Sequence, residues 1–100
     1  MNLNQLEYFR TLAHEEHYTR AAQMLSITQP SLSHAIAQLE QELGTRLFEK
    51  KGRNIVLTRY GKIFLPYVED ALKILDDGVQ RTRELNGSKE GMINLAYIYT

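Results

Sequence analysis

Apolar residues in the first half of the chain recur three and four positions apart, the period of a helix with one buried face. Leu6, Phe9 and Ala13 share such a face and predict a helix over residues 4–14, with Asn4 and Glu7 reading as its capping box. His14-Glu15-Glu16-His17 is a polar break. Thr19 then reads as the cap of a second short helix, Arg20 to Leu25, in which Ala21 and Ala22 permit close approach of another helix. Ser26-Ile27-Thr28 is a turn. The third helix, 29–43, has the clearest signals: Thr28 as N-cap, Pro30 in the first turn, where its missing N–H costs little, and Ile27 with Leu32 placed as a hydrophobic staple. Leu32, Ile36, Leu39 and Leu43 form one buried stripe, and Gly44 stops the helix. Gln29, Ser33, His34 and Ala37, all small or polar, occupy the other face.

The pattern then changes period. Leu47-Phe48-Glu49-Lys50 and Ile55-Val56-Leu57 are β-prone runs flanking the basic, glycine-containing turn Lys51-Gly52-Arg53-Asn54, which predicts a hairpin over 47–57. Thr58 reads as the cap of a fourth helix running from Arg59 to about Leu85, near twice the usual length of about 11–12 residues. Phe64, Val68, Ala71 and Leu75 alternate steps of four and three, as in a coiled-coil seam, so a partner helix is expected there. Pro66 should kink this helix or end its first turns, and Gly78 should weaken it. Asn86 to Gly91 reads as a linker. Met92 to Thr100 is strand-like but has no partner, and a lone strand is not stable. The chain therefore reads as a fragment that stops just inside a second domain.

Composition changes this picture in one respect. The net charge is zero, which alone argues against a polyanionic partner. Its distribution argues for one: residues 46–62 carry Arg46, Lys50, Lys51, Arg53, Arg59 and Lys62 against Glu49 alone, while residues 66–100 carry four basic and six acidic side chains. The local field governs phosphate binding, not the sum. With no cysteine, disulfides, thiolate metal sites and a cysteine nucleophile are excluded. No apolar run approaches the roughly 20 residues that span a bilayer, and the opening Met1-Asn2-Leu3-Asn4 has no secretory character.

Three short helices, a tight turn before the third, and a basic hairpin predict a mainly α fold: a winged helix-turn-helix followed by a long linker and dimerisation helix. In such a fold the third helix fits the major groove of B-DNA. Gln29 can pair with adenine, Ser33 with several base edges or a phosphate, and His34 can donate to guanine. Lys50, Lys51 and Arg53 of the wing would meet phosphates, with Arg53 at the tip able to enter a minor groove. A solvated helix face is the bland alternative for Gln29 and Ser33. A protein-interaction module built on the fourth helix is the alternative for the chain as a whole. The histidines at 14 and 17 lack the spacing of a zinc-protease motif, no catalytic constellation stands out, and no enzyme activity or cofactor is expected.

Across residues 3–75 the chain resembles the LysR-type transcription regulators. The segments that carry the resemblance are Leu3, Gln5-Leu6 and Phe9; Tyr18-Thr19-Arg20-Ala21-Ala22 with Leu25; Gln29-Pro30-Ser31-Leu32-Ser33; Ile36, Leu39-Glu40 and Leu43-Gly44; Leu47-Phe48; and Leu57-Thr58 with Gly61. The resemblance implies a bacterial, cytoplasmic, nucleoid-associated regulator that binds promoter DNA as a homodimer or tetramer. It implies base contacts from Gln29, Pro30, Ser33 and His34, backbone or minor-groove contacts from Thr19, Arg20, Ser31, Lys50, Lys51 and Arg53, and dimerisation through Phe64, Val68, Ala71 and Leu75. It also implies a division into a DNA-binding domain (1–58), a linker helix (59–86), and a linker with the first strand of an effector-binding domain (87–100). A small-molecule effector is then expected only for that further domain, and no membrane contact. The chain departs from the family where His34 replaces the usual arginine. A shorter side chain that titrates near neutrality implies an altered base preference and stronger binding at lower pH. Lys50 likewise replaces an arginine and loses its bidentate fork. His17 stands where a small residue is common.

Overall fold

The computed structural model describes residues 1–87, so the strand expected over Met92 to Thr100 and the linker from residue 88 lie outside the described residues. The elements in chain order are α1 (Leu3–Glu15), α2 (Tyr18–Leu25), α3 (Gln29–Leu43), β1 (Phe48–Lys51), β2 (Asn54–Leu57) and α4 (Arg59–Gly87). Residues Met1–Glu69 form one compact unit; the remainder of α4 belongs to a second, which begins at Asp70.

The helix starts of α1 and α2 differ from the sequence expectation, and local hydrogen bonding explains both. Asn2, not Asn4, caps α1: its Oδ1 accepts from the Gln5 backbone N–H at 2.8 Å, and the Gln5 side chain accepts from the Asn2 N–H at 3.2 Å. This capping box lies two residues earlier than Asn4 with Glu7, and it also lets the Leu6 N–H reach the Asn2 carbonyl. At the far end, Glu16 adopts a left-handed conformation (φ 57°) that ends α1. His17 follows at once in an extended conformation and caps α2 through Nδ1, which accepts from the Arg20 N–H at 3.2 Å. Thr19, read as that cap, is inside the helix.

Helix α3 begins and ends as its sequence requires. Thr28 Oγ1 accepts from the Ser31 N–H, and Gly44 closes the helix at φ 77°. Leu32, Ile36 and Leu39 are buried, while Leu43 is 36% exposed and leaves the stripe near the helix end. The core centres on Phe9. Its ring meets Phe48 edge-on at 5.5 Å and Phe64 at 5.4 Å, and Leu12, Ala21, Leu47, Ile55 and Val68 are also buried.

The hairpin is antiparallel, with Phe48 opposite Leu57 and Lys51 opposite Asn54. That register leaves Gly52-Arg53 as a two-residue loop. The positive φ falls at Gly52 (65°) and not at Arg53, as a type II′ turn requires. The hairpin base is tied by the Ile55 N–H to the Glu16 carbonyl and by the Thr58 N–H to the Leu47 carbonyl. Thr58 also donates its hydroxyl to the Arg46 carbonyl and accepts from the Gly61 N–H, so it caps α4 while anchoring it. Gly61 is buried at this contact, and the close approach requires glycine because a Cβ would stand 2.4 Å from the Leu47 carbonyl oxygen. Helix α4 runs through Pro66 and on past Gly78. Asn86 and Gly87, expected in the linker, are helical.

Candidate nucleic-acid interface

The start of α3 presents its polar face to solvent because the opposite stripe is committed to the core. Gln29, Pro30, Ser31 and His34 are exposed and Ser33 is half-buried. The Gln29 Nε2 donates to Ser33 Oγ at 2.8 Å, as residues four apart on a helix allow. The pair thus still offers one amide N–H, one amide carbonyl and one hydroxyl O–H outward, a mixed donor and acceptor set suited to base edges. Ser31 is tied back to Thr28, its hydroxyl accepting from Thr28 Oγ1 at 2.8 Å.

Beside this face lies a cleft of about 320 Å³. Its walls are the start of α2 (His17, Tyr18, Thr19), Gln29 of α3, and the wing (Phe48, Glu49, Lys50, Arg53, Ile55) with Arg46. Arg46, Lys50 and Arg53 face it with Glu49 as the sole carboxylate, so the cleft is a cationic trough. The fold therefore brings Gln29, Thr19, Lys50 and Arg53 together. Lys51 lies elsewhere, in a second hollow with Lys50 and Lys62 on the wing's other flank. Arg20 is exposed and lines neither hollow.

Three further residues shape this region; the sequence reading counted Arg46 only within the basic patch and gave Tyr18 and Glu40 no site role. Tyr18 is half-buried, and burial, reinforced by nearby Glu40 and opposed by Arg46, pushes its phenol above the ordinary range. Glu40 joins α3 to the wing: one carboxylate oxygen accepts from the Leu47 and Phe48 N–H groups at 2.7 and 3.2 Å. Its other oxygen holds Arg46 Nε at 3.2 Å. The sequence signal was Glu40's place beside the apolar stripe, and the five basic residues that follow Arg46 in the 46–62 patch.

The residues expected to dimerise differ in exposure. Phe64 lies against Phe9, and Val68 is 2% exposed, both inside the Met1–Glu69 unit. Ala71 and Leu75, in the second unit, are exposed. Tyr60, Ile63 and Tyr67 are large apolar residues exposed on the first unit. His14 pairs with Glu69 at 2.8 Å, and no cluster of three metal-ligating side chains occurs among the described residues. No helix among them is long and apolar enough to cross a membrane.

Residues 3–62 match the family described as bacterial regulatory helix-turn-helix protein, lysR family. The chain is 45% identical over its whole length to the uncharacterized HTH-type transcriptional regulator YybE of Bacillus subtilis, of which it covers 34%. It is 41% identical to the HTH-type transcriptional regulator BudR of Klebsiella aerogenes over 95% of this chain and 66% of that one. The chain thus spans about a third of the length of the first curated relatives it matches. Among solved structures, the BenM DBD in complex with catB site 1 DNA superposes with a TM-score of 0.82 at 35% identity, over 93% of this chain and all of that one. OxyR of Corynebacterium glutamicum in its oxidized form gives 0.81 at 38% identity, over 90% of this chain and 28% of that one.

Proposed function

This chain belongs to the LysR family of bacterial helix-turn-helix regulators, and on that premise we propose that its Met1–Glu69 unit reads duplex DNA at promoters in the cytoplasm. Helix α3 enters the major groove, and Gln29, Pro30, Ser33 and His34 face the bases. The wing lies on the backbone, with Arg53 at a minor groove, and Thr19, Arg20, Ser31, Lys50 and Lys51 meet phosphates or sugars. The observation that carries this reading is the cationic cleft that opens directly beside the exposed Gln29–Ser33 pair. Support comes from two similar solved structures, the BenM DBD in complex with catB site 1 DNA and the CbnR DBD in complex with DNA.

The two kinds of contact separate experimentally. Gln29→Ala should relax discrimination between sites by about 1–3 kcal/mol, while Lys51→Ala should weaken binding to every sequence and lower the salt slope by about one. Unchanged discrimination by Gln29→Ala, measured on duplexes selected from a random pool, would refute the recognition-helix assignment.

The protein works as a homo-oligomer through α4, and of the seam read from the sequence the exposed Ala71 and Leu75 are the part available to a partner. Leu75→Asp should lower the sedimentation coefficient to that of a monomer; an intact oligomer would remove Leu75 from the interface. Residues 1–58 serve as the DNA-binding domain, 59–86 as the linker helix, and 87–100 lead into an effector-binding domain that takes the small molecule.

A further inference from the structure

We propose that Arg46 and Tyr18 form a clamp for one backbone phosphate, with Glu40 as the residue that aims Arg46; this rests on the DNA-reading function above and deepens it. Arg46 is 74% exposed, yet its inner nitrogen is held 3.2 Å from Glu40 Oε1. Glu40 is itself only 12% exposed and is fixed by the Leu47 and Phe48 N–H groups. An exposed arginine ordinarily spreads over many rotamers and loses that freedom on binding. Here the close contact is at Nε, and neither Nη group makes a hydrogen bond with a described residue.

Tyr18 supplies the complementary donor. Its hydroxyl makes no hydrogen bond with a described residue, and burial together with Glu40 keeps it protonated. Tyr18 and Arg46 line both the wing cleft and a second hollow of about 690 Å³ that runs along Ser33, Ala37, Glu40 and Gln41 of α3 to its cap Gly44. They therefore stand where the two hollows meet, alongside the helix face that reads bases. The site's free donors are a guanidinium fork and a phenol O–H, and the Glu40 carboxylate on its wall is already engaged. A phosphodiester offers only acceptors and carries one charge, which the fork matches in a bidentate way. Glu40 does not oppose this ligand while Arg46 and two amides occupy its oxygens. Once Arg46 is removed, the carboxylate is left facing the phosphate.

The test measures affinity against salt for a duplex selected by the wild-type chain. Arg46→Gln should weaken binding about tenfold without changing sequence preference. It should also reduce the slope of log affinity on log salt by about 0.9, the value for one phosphate. Arg46→Lys should keep the slope, and Tyr18→Phe should cost affinity at unchanged slope. A cycle isolates Glu40: Glu40→Gln should weaken binding in the wild-type background but leave it equal or stronger in the Arg46→Gln background, where it removes a repulsion. Equal weakening in both backgrounds would make Glu40 merely structural and overturn its role. A slope unchanged by Arg46→Gln, in a wild-type chain that binds with normal salt dependence, would overturn the clamp alone. Absence of salt-dependent duplex binding by the wild-type chain would overturn the clamp and the proposed function together.

Discussion

Gly61→Ala adds one methyl group at the most closely approached of the described glycines. The new Cβ would stand 2.4 Å from the Leu47 carbonyl oxygen, 2.7 Å from Leu57 Cδ2 and 3.3 Å from the Leu47 carbonyl carbon. The leucine methyl can rotate away; the carbonyl cannot move freely, because it accepts the Thr58 N–H at 2.9 Å. Nor can α4 retreat, because Thr58 Oγ1 holds the Arg46 carbonyl at 2.6 Å. Relieving the clash therefore breaks a hydrogen bond worth about 1 kcal/mol and still leaves overpacking at about 1–3 kcal/mol. Alanine's helix propensity returns about 1 kcal/mol, leaving a net loss of about 1–3 kcal/mol. A domain of this size loses about 4–8 °C of Tm per kcal/mol, so thermal melting by circular dichroism should show a fall of about 5–20 °C. Gly78→Ala is the internal control. It lies in the same helix with nothing within 4 Å of a Cβ, and it should gain helix stability by up to about 1 kcal/mol. If Gly61→Ala melted at or above the wild-type temperature, the close approach of α4 to Leu47 would be wrong.

Two further variants probe the turns that position the reading face. Glu16 is held at φ 57°, a region that costs a side-chain-bearing residue about 1 kcal/mol; Glu16→Gly should raise the urea midpoint slightly, and a lowered midpoint would show that the side chain stabilises the turn. Thr28→Ala removes the α3 cap that accepts the Ser31 N–H and should cost about 1 kcal/mol in urea unfolding, with no loss expected if water replaces the hydroxyl fully.

Helix α3 was legible in the sequence because each of its determinants is local. Thr28, Pro30, the Ile27–Leu32 staple, the buried stripe and Gly44 lie within one segment and agree with one another. The first two helices offered competing caps. Asn2 with Gln5 and Asn4 with Glu7 are both capping boxes on paper, and the choice fell to the pair that extends the helix. His17 is an unusual cap, and it acts as one because Glu16 reverses the chain immediately before it. Phe64 and Val68 show a different limit. Period alone puts them on a seam with Ala71 and Leu75, but it does not say which stretch of a long amphipathic helix meets its own domain first. Phe9 and Phe48 settle that by drawing Phe64 inward. The Tyr18, Glu40 and Arg46 cluster was invisible because its members belong to α2, α3 and the approach to β1, and only tertiary structure brings them together.

The wing's position follows from hydrogen bonds more than from apolar contact. A two-stranded hairpin is marginal in water, and only Phe48 and Ile55 of its strands are buried. Its base is fixed by three polar ties: Ile55 to the Glu16 carbonyl, Thr58 to the Leu47 carbonyl, and the Glu40 carboxylate to Leu47 and Phe48. Each tie reaches a different neighbour, the α1–α2 turn, the start of α4 and the last turn of α3, so together they fix the hairpin's tilt as well as its depth. Hydrogen bonds are directional where apolar contacts are not. That matters for the proposed function, in which the wing cations must hold a set distance from Gln29 and Ser33 so that backbone and base contacts are made in one register. Glu40 links the two directly, since the same carboxylate that fixes the first residues of the wing arises from the helix that presents the base-facing side chains. Glu40→Ala, which removes the acceptor of the Leu47 and Phe48 N–H groups, should therefore alter where the wing sits relative to α3, whereas Glu40→Gln keeps a carbonyl there and should leave the wing in place.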